Sequence, residues 1–230
     1  MTPVVLIPGL LGTAELFASQ AVALWPYGPV TVASTLEGTT MEAMAAAILA
    51  SAPPRFALAG ISMGGYVSFE IMRQAPERVL KLALLDTTAR PDAPAQTALR
   101  RSQLEKVRTG DAMAMFAEAL RQLMLPAHRD DARIAAVNAR MAAAVGVEGF
   151  ARQTEAIIGR VDSRPGLAAL AGPTLVLVGD GDPVTPLDRA EEMAAPIPNA
   201  KLVVVPECGH LSTLEQPEAV NQALVEWIRS

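Results

Sequence analysis

Phe56-Ala57-Leu58-Ala59-Gly60-Ile61-Ser62-Met63-Gly64-Gly65-Tyr66 carries a short apolar run into a serine set between glycines, and a helical pattern continues from Tyr66 to Gln74. Strand, sharp turn and helix in that order form the setting that Gly-x-Ser-x-Gly requires. The tightness of the turn holds its central residue in a strained conformation with Oγ exposed, and the small neighbours relieve crowding. The helix beyond aims its positive N-terminal end at the same spot, which favours a developing oxyanion. Ser62 is therefore the candidate nucleophile. The plainer reading is a Gly/Ser turn without chemistry.

Along the rest of the chain short β-branched runs alternate with longer helical patterns, the signature of parallel strands crossed by helices. The runs Val4–Ile7, Val30–Ala33, Phe56–Ala59, Leu80–Leu85, Thr174–Val178 and Lys201–Val205 predict six strands. Most are apolar on both faces, as a sheet covered by helices on both sides requires. Thr39-Thr40-Met41-Glu42 offers a capping box for a helix reaching Ala50. Thr185-Pro186-Leu187-Asp188 reads as an N-cap followed by proline, and Pro217–Ile228 as a closing helix.

Between Asp86 and Gly172 no strand pattern occurs, only helical ones broken at Gly110, Pro126 and Gly146. Asp92, Asp111 and Asp130 are candidate N-caps for three helices, and a fourth covers Val147 to Gly159. So many helices between two strands of one sheet cannot all lie against it. They predict a cap over one edge.

A serine hydroxyl is a weak nucleophile at neutral pH and needs a base. The chain holds two histidines. His210 follows the last strand candidate, at the sheet edge where Ser62 also emerges and where ligands collect in open α/β folds. His128 falls inside the helical block and reads as a solvent-facing loop residue. His210 is the candidate base. The imidazole needs a carboxylate to fix its tautomer, and Gly179-Asp180-Gly181-Asp182-Pro183 supplies two at the right edge. Asp182 lies further into the loop and is preferred; Asp180 reads as a brace of the turn, and Asp86, ending the fourth strand, stays as a third candidate. For an oxyanion hole the backbone N–H of Met63 is one donor, and Ile7-Pro8-Gly9-Leu10-Leu11-Gly12 offers the second at Leu10, with Leu11 as fallback.

Composition narrows the classes. Of 230 residues, 51% are hydrophobic and 19% charged, enough apolar material for a large core. The net charge of −5 and the lack of any Lys/Arg block argue against nucleic-acid binding. One cysteine, Cys208, and two histidines leave no basis for a disulfide or a His/Cys metal site. Neither Gly-x-Gly-x-x-Gly nor Gly-x-x-x-x-Gly-Lys occurs, which weakens a phosphate-binding reading of the first loop. No leader pattern and no run of about 20 apolar residues is visible, so a cytoplasmic location is expected.

Taken together, these motifs resemble the α/β-hydrolase superfamily over nearly the full chain. The likeness rests on Leu6-Ile7-Pro8-Gly9, Gly60-Ile61-Ser62-Met63-Gly64-Gly65, Pro76-Glu77-Arg78-Val79, Gly179-Asp180-Gly181-Asp182-Pro183-Val184-Thr185-Pro186, and Gly209-His210 with Glu215-Gln216-Pro217. The spacing Gly179-x-x-Asp182-x-x-x-Pro186 is similar to the family's acid loop and supports Asp182. The Ser-Met-Gly-Gly elbow resembles those of small carboxylesterases, enol-lactone hydrolases and cofactor-free haloperoxidases. The resemblance implies an α/β-hydrolase core at residues 1–90 and 166–230 and a helical cap at 91–165.

It also implies a cofactor-free serine hydrolase, and the substrate expected is a small, uncharged or weakly polar ester, thioester or lactone, with the protein acting as monomer or homodimer without membrane or nucleic acid. Perhydrolysis, C–C cleavage or lyase chemistry on the same triad is the alternative, and a low-turnover binding protein a third reading. Two departures are expected to matter. Pro8-Gly9 stands where many relatives have His-Gly, so the oxyanion loop must be braced differently. The first strand starts near Met1, so the sheet lacks the usual leading hairpin. Met113, Met115, Met124 and Met141, with Phe116 and Phe150, are expected mainly as cap core, and Cys208 as a buried structural thiol.

Overall fold

Each apolar run forms a strand in the computed structural model, which describes residues 1–230. These are β1 (Val4–Ile7), β2 (Val30–Val32), β3 (Phe56–Ile61), β4 (Val79–Leu85), β5 (Thr174–Gly179) and β6 (Ala200–Val205). They make one six-stranded sheet in the order β2-β1-β3-β4-β5-β6, every pair parallel. Alternate residues feed opposite layers. Val5 and Ile7 join the core beneath α2 (Met41–Ser51), α3 (Met63–Gln74) and α7 (Leu187–Ala194); Val4 and Leu6 join that beneath α1 (Ala18–Leu24) and α9 (Pro217–Arg229). In α9 the buried Val220, Leu224, Trp227 and Ile228 lie at helical spacing, and burying each large side chain contributes roughly 1.5–3 kcal/mol.

Three helices stand between β4 and β5: α4 (Pro94–Thr109), α5 (Ala112–Leu123) and α6 (Ala132–Ile158). They share a third core in which Phe116 meets Phe150 at 4.9 Å between ring centres. The expected third and fourth helices of this block are the two halves of α6. Gly146 (φ 65°) kinks it, a backbone state that side chains rarely adopt. By length and composition α6 is the one helix able to cross a bilayer, yet Ile134, Met141, Phe150 and Ile157 are buried in the protein. A short helix, α8 (Ser212–Glu215), precedes α9.

Several expected caps differ. Asp111 caps α5 as expected, but Asp131, not Asp130, caps α6, and Asp130 pairs with Arg121. Ala93 stands at the start of α4 because Asp92 is buried in ion pairs with Arg100 and Arg160. Thr40 alone caps α2, accepting from Ala43 N–H, in place of the Thr39–Glu42 box. Pro186 precedes α7, because the Thr185 hydroxyl is engaged by Asp182.

The connection from β1 leads outward to β2 while that from β3 leads the other way, which makes the gap between their C-terminal ends the topological switch point. Open α/β sheets bind ligands there.

Candidate functional site

Ser62 sits between β3 and α3 with φ 53° and ψ −116°, a strained state for a residue bearing a Cβ. Only glycine fits its flanks. A Cβ on Gly60 would overlap the Gly64 carbonyl, and one on Gly64 would overlap that of Ile7. Thr87 Oγ1 donates to the Ser62 carbonyl at 2.8 Å and fixes the turn from β4's end.

The loops after β5 and β6 bring two further groups to this serine. Ser62 Oγ lies 2.9 Å from His210 Nε2, and His210 Nδ1 lies 2.7 Å from Asp182 Oδ2. With Nδ1 protonated, His210 donates to Asp182 and accepts from the Ser62 hydroxyl. Asp182 is fully engaged: Oδ1 accepts from the N–H groups of Val184 (2.7 Å) and Thr185 (2.9 Å), and Oδ2 from Thr185 Oγ1 (2.6 Å). Burial opposes the Asp182 charge, but His210 and these donors outweigh it and hold the carboxyl below the usual range. Burial likewise disfavours the His210 cation, yet Asp182 overrides it and raises the imidazole above 6.5.

The other acidic candidates are placed elsewhere. Asp180 accepts from Glu207 and Cys208 N–H, both at 3.1 Å, bracing the loop after β6. Asp86 is buried, with Oδ1 accepting from Gly179 N–H and Oδ2 lacking a partner. Burial first, then the Asp182 charge, push its carboxyl up to about 8. Cys208 is buried and burial pushes its thiol up, leaving it protonated.

Met63 opens α3, so its N–H has no intrahelical acceptor. The two candidates in the first loop differ. Leu11 N–H donates to Gln153 Oε1 at 3.0 Å, whereas Leu10 N–H has no acceptor. Leu11 (φ 60°) is thus spent on holding the loop. Gln153, on α6, also donates to Thr35 Oγ1 at 2.9 Å, so one buried amide ties the first loop to the segment after β2. No local pattern marks Gln153, because its partners lie 142 and 118 residues away.

Glu215 is a second residue whose role depends on distant and loop partners. Its buried carboxylate accepts from Gly209 and Leu211 N–H, each 3.0 Å, and from Leu125 N–H at 2.9 Å. His128 Nδ1 lies 3.0 Å away, so His128, expected to face solvent, is a partly covered partner of Glu215. His210 N–H donates to the Leu123 carbonyl. The His210 loop is therefore stitched to the end of α5.

Above Ser62 lies a cavity of about 540 Å³. The loops bearing Leu10, Ser62, Val184 and His210 form its floor; Leu99 and Arg100 of α4 and Leu120 of α5 form part of its roof. Of the methionines, Met141 lines it, while Met113 is exposed and Met124 buried. No grouping of three or more His, Cys, Asp or Glu suited to a metal occurs.

A family model described as alpha/beta hydrolase fold matches residues 39–217. BpoC of Mycobacterium tuberculosis strain H37Rv, whose name assigns it provisionally to the non-heme bromoperoxidases, is 31% identical over 202 residues, covering 83% of this chain and 75% of the relative. The pimeloyl-[acyl-carrier protein] methyl ester esterase of Aromatoleum aromaticum is 30% identical over 193 residues, 79% and 77% of the two chains. Among solved structures, a thermophilic esterase from Thermogutta terrifontis superposes with a TM-score of 0.89 at 34% identity, covering 100% of this chain and 90% of its own.

Proposed function

Because this chain belongs to the α/β-hydrolase family, a family of enzymes, we propose that it is a serine hydrolase cleaving a small ester, thioester or lactone through an acyl-enzyme on Ser62. The observation that carries this reading is the hydrogen-bonded chain Ser62–His210–Asp182, 2.9 and 2.7 Å, opening onto the cavity. His210 takes the Ser62 proton as Oγ attacks the substrate carbonyl carbon. The backbone N–H groups of Met63 and Leu10 hold the oxyanion, and the α3 N-terminus adds its dipole. Collapse expels the alcohol, thiol or ring oxygen, which takes the proton from His210. Water activated by the same imidazole then releases the acid. Asp182 holds the imidazole's tautomer and stabilises its cation. No cofactor or metal enters these steps.

In this reading residues 91–165 are the cap, and 1–90 with 166–230 the catalytic core. The end of α5 is fixed to the His210 loop, through Leu125 N–H to Glu215 and His210 N–H to the Leu123 carbonyl. The likeness to BpoC favours testing one further activity, peroxide-dependent perhydrolysis on the same triad.

The test is a series of p-nitrophenyl esters from acetate to dodecanoate, with Ser62→Ala alongside. Turnover that vanishes in the variant supports the reading, and the optimum acyl length sizes the pocket. Equal turnover by a folded Ser62→Ala variant contradicts it.

A further inference from the structure

Arg100 is the one charged side chain on the cavity wall apart from the His210 imidazole, and no carboxylate lines that wall. It projects from the face of α4 formed by Gln96, Leu99, Arg100 and Gln103, positions three and four apart that all border the cavity. Its Nε donates to Asp92 Oδ2 at 2.8 Å, and its two terminal nitrogens have no protein acceptor. Asp92 is almost fully buried and is shared, because Arg160 also donates to it. Two guanidiniums around one carboxylate leave a positive charge unbalanced at the junction of cavity and cap.

Arg160 meanwhile lies over the Tyr66 ring, 4.3 Å from its centre, and Tyr66 lines the same cavity four residues beyond Ser62. The Tyr66 hydroxyl has no partner in the protein, and burial raises its pKa, so it stays a donor. Asp92 and Arg160 thus anchor a pair of unspent donors beside the substrate space. A guanidinium pinned through Nε presents its other nitrogens in a fixed fork, the geometry that suits a carboxylate.

We propose that the substrate is an ester bearing a carboxylate, and that Arg100 binds that carboxylate while Ser62 is acylated, the Tyr66 hydroxyl being a further donor on the same cavity wall. The proposal rests on the serine-hydrolase reading above and, because Arg100 borders the cavity, puts an anionic ester in place of the uncharged or weakly polar one expected from sequence. Arg100 is a specificity residue: it acts on the charged end of the substrate, away from the reacting carbonyl.

The experiment compares matched pairs of esters. Mono-p-nitrophenyl adipate is set against p-nitrophenyl hexanoate, placing the charge on the acyl side. Sodium 4-acetoxybenzoate is set against methyl 4-acetoxybenzoate, placing it on the leaving group. The quantity read is the ratio of kcat/KM, anionic over neutral, in wild type, Arg100→Gln and Arg100→Lys. A ratio well above one in at least one pair, falling about tenfold or more in Arg100→Gln and partly kept in Arg100→Lys, supports the proposal. It should also shrink as salt is added. Because each ratio is internal to one variant, a general loss of folded protein does not move it.

Ser62-dependent turnover of the neutral esters without anionic preference, or with a preference unchanged in Arg100→Gln, overturns the proposal and leaves the hydrolase reading standing. Silence on every ester sinks the hydrolase reading instead. The carboxylate site is then judged by calorimetric binding of monomethyl adipate: loss in Arg100→Gln supports it, and equal or absent binding overturns it.

Discussion

Gln153 Oε1 accepts the Leu11 N–H at 3.0 Å across 142 residues of chain, and this bond decides which amide of the first loop stays free. Leu11 adopts φ 60° and faces the helical segment's core, while the adjacent Leu10 N–H is left without an acceptor. A side chain on α6 therefore shapes the proposed oxyanion site built after β1.

Gln153→Leu should strip Leu11 of its acceptor at nearly constant volume. A buried N–H without a partner costs about 1–3 kcal/mol of stability, and the first loop loses its fixed position. The expected kinetic result is a fall in kcat of about tenfold or more with KM little changed, since only the transition state uses the oxyanion donors. Thr35→Val, which cuts the far end of the same amide, should cost less in kcat. Ester kinetics with chemical denaturation on both variants check this.

The pH profile follows from His210. The imidazole works as a base only when neutral, and Asp182 raises its pKa above the ordinary 6.5 despite burial. Plotted against pH, kcat/KM should rise with its midpoint above 6.5. In Asp182→Asn the upward pull is gone and burial remains, so the midpoint should move down while kcat falls by about ten-thousandfold. An unmoved midpoint would show that another group sets the profile.

Asp86 gives a stability signature instead. Its carboxyl is raised from 3.8 to about 8, so the folded chain holds a proton that the unfolded chain releases. That contribution is whole below 3.8 and is lost as pH rises through about 8. Asp86→Asn keeps the Oδ1 acceptor for Gly179 and cannot ionise. Melting temperatures at about pH 5 and pH 9 should diverge: the variant gains on the wild type as pH rises, by several degrees. Parallel curves would contradict this.

Gly64→Ala tests the elbow. Its Cβ would meet the Ile7 carbonyl, which β1 cannot move aside. Overpacking of this kind costs about 1–3 kcal/mol or more, and the displaced turn should remove activity beyond what the stability loss explains. Thermal melting paired with ester turnover separates the two effects.

How these features relate to sequence follows from the range of the interactions. The strands and the elbow are legible because each is written locally, in apolar runs and glycine spacing; Asp182, which lies 2.7 Å from His210, is singled out by loop position together with the likeness to the family's acid loop. Asp111 is readable as a cap because that signal too is local. Asp92 and Thr185 carry identical local signals and yet serve distant or tertiary partners, Arg160 and the Asp182 carboxylate. His128 reads as a loop residue until Glu215, 87 residues on, is brought against it. Gln153 and Arg100 have no local mark at all, since a glutamine or arginine on a helix becomes a brace or a cavity wall only once the chain has folded.

Covalent trapping asks whether Ser62 is the nucleophile and His210 its base. Wild type, Ser62→Ala and His210→Ala would be treated with a fluorophosphonate and examined by peptide mass spectrometry. A single adduct is expected on the peptide containing Ser62, absent in Ser62→Ala and formed far more slowly in His210→Ala. An adduct elsewhere, or labelling of Ser62 at an equal rate without His210, would contradict that assignment.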